Sequence, residues 1–131
     1  MKNFLIILFV SVCLFTNAQY GMLNGNGYAP DFSVTDLNSN SHNLYSYLDS
    51  GYVVVVELLS VTCGHCIQYS NGTENSYQTN GSNGTNVARF IGLEINSSTS
   101  NIQVSSFATN HNTTFPLCNN ISPTLINYQL Y

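Results

Sequence analysis

Charge is what this sequence has least of. Only 6% of its 131 residues are Asp, Glu, Lys or Arg, and Asn, Ser, Thr and Gly do the solvating instead. Lys2 and Arg89 are its two basic residues besides histidine, against Asp31, Asp36, Asp49, Glu57, Glu74 and Glu94. So little positive charge leaves no footprint for a phosphate backbone or an anionic membrane, which excludes nucleic-acid binding. A long hydrophobic run is also missing. Phe4 to Phe15 is apolar but too short for a comfortable transmembrane helix, so no stable membrane insertion is expected. Metal ligands are scattered: His42, His111 and Cys118 stand apart from one another and from the one Cys-x-x-Cys, so no zinc site and no cofactor is expected. His42 and His111 read as surface residues in polar loops.

The length suits one domain with one core. Its first residues, MKNFLIILFVSVCLFTNAQY, have the form of a secretory signal peptide over 1–18. Lys2 is the positive n-region, Phe4 to Phe15 the apolar h-region, and Thr16-Asn17-Ala18 precede a cut at Gln19. Cys13 has Val12 before it where a lipidation site wants a small residue. Cleavage removes Lys2 and Cys13 and leaves Cys63, Cys66 and Cys118, an odd set in a compartment where disulfides persist. The address expected is secreted, or periplasmic and cell-envelope. Six Asn-x-Ser/Thr triplets, at Asn71, Asn80, Asn83, Asn96, Asn112 and Asn120, read as products of the Asn/Ser/Thr-rich composition.

Residues 19–29 are Gly/Asn-rich and read as a linker. From there the pattern alternates. A short strand at Phe32 to Thr35 runs into a polar turn. Leu44 and Leu48 lie one helical turn apart, with Gly51 as a stop. YVVVVELL (52–59) is a continuous apolar run, as for a central strand buried on both faces. A helix starts at the cysteines, with Ile67, Tyr69, Ser70, Thr73 and Tyr77 at helical spacing, and gives way to a loop at QTNGSNGTN (78–86). VARFIGLEI (87–95) is a second central strand. Ile102, Val104 and Phe107 follow Ser/Thr caps in a short second helix, and NTTFPLCNN is extended. Ser122 and Pro123 form a cap and first turn of a further helix. Strands alternating with helices predict an α/β fold with a largely parallel central sheet and flanking helices.

In such sheets chemistry sits at the carboxyl ends of strands, and SVTCGHC (60–66) lies there. A thiolate is the reactive form of cysteine, and a helix N-terminus stabilises it through unpaired N–H groups and the dipole. Cys63 is therefore the expected nucleophile. Cys66, one turn on, can close a disulfide with it and resolve a mixed disulfide. His65, when protonated, adds stabilisation to the thiolate, and that shifts the pair toward oxidase or isomerase work. Glu57, a carboxylate inside an apolar strand, is costly unless used, and its pKa should rise.

The segment APDFSVTDLNSNSHNLYSYLDSGYVVVVELLSVTCGHC resembles the opening of the thioredoxin-like superfamily, in its secreted TlpA-like and AhpC/TSA (redoxin) branch. FIGLEIN and TTFPL are similar to the same branch, and the resemblance covers about 30–125. Cys-Gly-His-Cys resembles the active-site tetrapeptide of protein disulfide isomerases. The resemblance implies a thiol–disulfide oxidoreductase acting on protein thiols and disulfides with a redox partner protein. It implies a Cys63–Cys66 redox-active disulfide, and a proton-relay role for Glu57, which stands where thioredoxins carry a buried Asp. The family's aromatic residues before the first cysteine are replaced here by Leu58, Leu59 and Thr62. Its cis-proline has one candidate in Pro123. If Ser122-Pro123 instead opens a helix, that proline falls beyond Tyr131 and the domain over 30–131 is C-terminally incomplete, with an exposed sheet edge.

Two other functions compete. A peroxiredoxin wants a Pro and a Thr or Ser ahead of its cysteine, with an Arg beside it. Ser60 fits, Val56 does not, and Arg89 lies on another strand. A redox-inert binding module would keep Cys63–Cys66 as a static staple.

Overall fold

A computed structural model describes residues 29–119. The signal peptide, the linker before Ala29, and the Ser122-Pro123 segment with its candidate cis-proline lie outside the described residues. So does the question of an incomplete C-terminus.

Two short strands come first, β1 (Ser33–Thr35) and β2 (Ser41–Asn43), paired antiparallel with Val34 opposite His42. Asp36 makes the turn between them. Its Oδ1 accepts from the Asn38 and Asn40 backbone N–H groups at 2.9 and 2.8 Å. This is how a short carboxylate replaces a backbone partner in a turn. Helix α1 (Leu44–Asp49) follows at once, capped by Asn43, whose side chain accepts from Ser46 N–H at 2.7 Å. The strand β2 was not evident in the sequence, because Ser41-His42-Asn43 lacks any β-branched or alternating apolar pattern.

The main sheet has three strands in the order β3 (Val53–Leu59), β4 (Ala88–Glu94) and β5 (Leu117–Cys118). All are parallel, with Val53 beside Ala88, Leu59 beside Glu94, and Gly92 beside Leu117. The expected α/β architecture with a parallel sheet and flanking helices is present. The two expected central strands are not equivalent, however. Among the described residues β4 is the middle strand and β3 lies at an edge, half-buried, with Val53 61% exposed. A run of valines reports β-propensity; it does not report how many neighbours the strand has.

Alternation along β4 builds a core on each face. Ile91 and Leu93 join Phe32, Val34, Leu44 and Cys118 under the β1–β2 hairpin. Ala88 and Phe90 join Leu59, Val104, Phe107, Phe115 and Leu117 on the other face. Helices α2 (Gly64–Asn80) and α3 (Asn101–His111) cover that second face. A Cβ at Gly92 would meet Leu117 Cδ2 at 2.5 Å and Phe115 Cε2 at 2.9 Å, so a larger residue there would require those core side chains to shift.

Helix α2 runs to Asn80, past the point where the sequence turns polar. Its inner face is held by Ser70, Glu74 and Tyr77, while Ile67 and Tyr69 face outward. An apolar stripe is therefore a poor guide here, because polar residues carry the packing. Helix α3 begins with a capping box between Ser100 and Gln103 and ends at Asn112 in the left-handed region (φ 52°). Val104 and Phe107 are its anchors; Ile102 is 77% exposed.

His42 corrects the sequence reading. It is buried in β2, with Nε2 3.1 Å from Asp36 Oδ2 and Nδ1 2.7 Å from the Tyr47 hydroxyl. His111 sits in the last turn of α3 with its ring 4.7 Å from that of Phe107, so it is a helix residue and not a loop residue.

Candidate active site: a dithiol at the carboxyl end of the sheet

Strand β3 ends at Leu59, and the chain turns through Ser60, Val61 and Thr62 into α2. Cys63 N–H donates to Ser60 O at 2.9 Å and closes the turn. Cys63 is itself the N-cap of α2: its backbone is extended and its Sγ accepts from Cys66 N–H at 3.4 Å. The sulfur thus takes the capping role that a Ser, Thr, Asp or Asn oxygen usually fills.

The two cysteines differ. Cys63 is held below the ordinary thiol range, first by the Cys66 side chain hydrogen-bonding to its sulfur, then by the Cys66 and His65 backbone N–H groups. Cys66 is pushed up, first by burial, then by the neighbouring Cys63 sulfur and the charge of Glu57. The pair is thus ordered: Cys63 ionises first and Cys66 keeps its proton. Both are free thiols in this structure. His65 projects from the first turn and is exposed. A Cβ at Gly64 would meet nothing within 4 Å, so its own fold does not demand a glycine there and the surface beside Cys63 stays low.

Glu57 lies on β3, on the same face as Val55 and Leu59, under α2. Burial raises its pKa, partly offset by a hydrogen bond from Thr73. Its Oε2 is buried without a hydrogen-bond partner. A buried, unpaired carboxylate oxygen is costly, and it lies close enough to Cys66 to act on that thiol through its charge.

Two further carboxylates carry structure, Glu94 at this end and Glu74 farther along α2, and the sequence reading passed over both. Glu94, at the end of β4, is 1% exposed and accepts from Val61 N–H and Asn96 N–H, each at 2.8 Å. Glu74, on α2, accepts from Thr114 N–H and Gln78 Nε2, each at 2.7 Å, and fixes the loop before β5. The available signal for Glu94 was like that for Glu57: an acid within an otherwise apolar strand run. Cys118 lies in the core away from the pair, 0% exposed, its thiol pushed up to about 12 by burial and by Asp36. Cys118 is thus a small apolar core residue. Among the described residues no three His, Cys, Asp or Glu side chains group as a metal site, and no helix is long and apolar enough to cross a membrane.

No family model and no curated protein matches the chain. Solved structures do. The thioredoxin domain of a thiol-disulfide oxidoreductase from Bacteroides vulgatus superposes with a TM-score of 0.64 at 14% identity, over 81% of this chain and 71% of that one. A secreted disulfide oxidoreductase from Mycobacterium tuberculosis, homologous to the E. coli protein DsbE, gives 0.61 at 16% identity, over 76% and 68%. A thiol:disulfide interchange protein from a Bacteroides species gives 0.59 at 15% identity, over 80% of this chain and 64% of that one. With a parallel sheet, flanking helices and a Cys-x-x-Cys at the strand-to-helix turn, the chain has the thioredoxin-like fold.

Proposed function

We propose that this protein is a thiol–disulfide oxidoreductase of the cell envelope or exterior, exchanging disulfides with protein substrates through Cys63 and Cys66. The observation that carries the reading is the placement of the pair at the carboxyl end of β3, with Cys63 as the N-cap of α2 and its Sγ accepting from Cys66 N–H at 3.4 Å, an arrangement that holds Cys63 low while burial holds Cys66 high.

In the reducing direction, the Cys63 thiolate attacks one sulfur of a substrate disulfide. A Cys63–substrate disulfide forms and the other substrate sulfur leaves as a thiolate, which takes up a proton. Cys66 then loses its proton, with the Glu57 carboxylate, whose charge acts on that thiol, as the candidate acceptor, and attacks Cys63 Sγ. The Cys63–Cys66 disulfide forms, the second substrate sulfur departs, and the substrate has gained two electrons. The oxidising direction is the reverse, and a redox partner protein resets the pair. A low Cys63 pKa stabilises the reduced form, and a protonated His65 strengthens that bias, which favours oxidation or isomerisation of substrates.

The Leu58, Leu59 and Thr62 side chains stand where the resembled family has aromatics, and Ser60 and Thr62 hydroxyls lie 3.2 Å apart on the rim. The rim next to Cys63 is therefore small and hydroxylated, which suits an extended polypeptide better than an apolar anchor. The test is insulin reduction by dithiothreitol, with the chain from Gln19 onward. Acceleration that vanishes in Cys63→Ser supports the reading. Equal acceleration by Cys63→Ser, or none by the native chain, contradicts it. Consumption of hydrogen peroxide faster than by a free thiol would revive the peroxidase alternative.

A further inference from the structure

Glu94 differs from the other acids of this chain in where its hydrogen bonds go. It sits at the last position of β4, beside Leu59 in register, and both oxygens accept backbone N–H groups. One donor, Val61, belongs to the three-residue turn that delivers Cys63 to the head of α2. The other, Asn96, belongs to the loop leaving β4. A third bond, Ile95 N–H to Leu59 O at 2.9 Å, ties the same two segments. Among the described residues Glu94 has no cation partner, and it is 1% exposed. A carboxylate so placed has only N–H groups to compensate its burial, so its loss leaves the Val61 N–H orphaned inside the protein.

We propose that Glu94 is a positioning residue for the dithiol: it clamps the Ser60–Thr62 turn, so that Cys63 Sγ stays over the N–H groups of the first turn of α2. The proposal deepens the exchange reading and rests on Cys63 being the attacking thiol.

Two effects of Glu94 on Cys63 have opposite signs, which makes the idea testable. As a bare negative charge, Glu94 opposes the thiolate, and its neutralisation eases ionisation. As a clamp, it holds the sulfur where the N–H groups stabilise the thiolate, and its loss hinders ionisation. Glutamine keeps the shape but offers one carbonyl and one NH2, so it cannot accept from both N–H groups.

The experiment is the pH profile of Cys63 alkylation by iodoacetamide in the reduced protein, with Cys66→Ser and Cys118→Ala as background. Glu94→Gln is expected to move the profile up by about one pH unit, cutting the rate near pH 6 about tenfold. Glu74→Gln, at a second buried acid (9% exposed) that anchors the Thr114 loop, is expected to leave the profile in place while lowering the denaturation midpoint. A downward move in Glu94→Gln, or the same profile as Glu74→Gln, overturns the proposal. If Glu94→Gln does not fold, Glu94→Asp, which draws the carboxylate back by one methylene, should move the profile in the same direction. Amide exchange in the native chain gives an independent reading: Val61 N–H should be the most protected of the Ser60–Thr62 turn, and fast exchange there overturns the clamp. Because alkylation needs no partner protein, the two readings fail separately. A shifted profile without insulin reduction removes the exchange function and keeps the clamp. Insulin reduction with an unmoved profile removes the clamp alone.

Discussion

Asp36 and Glu57 lie toward opposite ends of the sheet, and the two acids are treated in opposite ways. At the amino end, Asp36 accepts from two backbone N–H groups, the Asn40 side chain and His42, and both His42 ring nitrogens are bonded. Arg89 stacks on Tyr52, its guanidinium 3.5 Å from the ring centroid, and donates to Asn86. Every one of these groups has a partner. At the carboxyl end, Glu57 keeps a buried oxygen without one, and the Cys63 sulfur is a helix cap that is also a nucleophile. A satisfied buried network specifies and rigidifies a fold, whereas an unsatisfied group beside a reactive one stores free energy that chemistry can use. Burial of a polar residue is thus not by itself a mark of function.

The sharpest way to break this contrast is to alter one residue at each end. Cys63→Ser should bring disulfide exchange down to the uncatalysed background while leaving the denaturation midpoint nearly unchanged. Asp36→Ala should do the opposite. It strips partners from His42 and from the turn, and should cost about 3 kcal/mol in urea unfolding, with the exchange rate per folded molecule unchanged. Loss of exchange in Asp36→Ala at full folding would make the amino end part of the site.

Glu57→Gln should combine a gain with a loss. Burial raises the Glu57 pKa, so its contribution to stability is complete below its unfolded value near 4.5 and is lost as pH rises through the higher folded value. Glutamine removes that loss. Its unfolding free energy in urea should therefore exceed the native one at pH 8 by about 1 kcal/mol, and the gap should close toward pH 4. The step in which Cys66 resolves the mixed disulfide should slow about tenfold. Asp36 and Glu74 have the other sign: hydrogen bonds hold their pKa values down, so the stability they contribute is present at neutral pH and is lost on acidification. A Glu57→Gln midpoint that tracks the native one at every pH would remove the strained-acid account.

The smallest effect is a count. With the protein reduced at pH 8, an aromatic disulfide reagent should react fast at Cys63, slowly at Cys66, and at Cys118 only after denaturation, since that thiol is pushed up to about 12 in the core. Cys118 reacting as fast as Cys63 in the native state would contradict its placement.

Much of this was legible in the sequence where a residue's job is local. The valine run, the FIGLE strand, the Ser100 cap and the Cys-x-x-Cys at the strand end depend on neighbours in the chain. What escaped depends on contacts distant in sequence. His42 reads as polar surface because its partners, Asp36 and Tyr47, become visible only once β1, β2 and α1 pack. The rank of β3 and β4 in the sheet is set by β5, which reaches only Gly92 and Leu93. Helix α2 continues to Asn80 because Glu74 and Gln78 bond to Thr114, 40 and 36 residues on, and no local pattern announces that. Glu94 was overlooked for the same reason: its donor, Val61, is 33 residues away.

The most direct test of the dithiol is its redox equilibrium. The chain is held in glutathione buffers of graded ratio, thiols are trapped with a maleimide, and the Cys63, Cys66 and Cys118 peptides are weighed. A Cys63–Cys66 disulfide that forms and reopens along one reversible curve, with Cys118 a thiol throughout, is the result expected. A pair that stays reduced in every buffer, or a disulfide that excess dithiothreitol fails to open, contradicts the account.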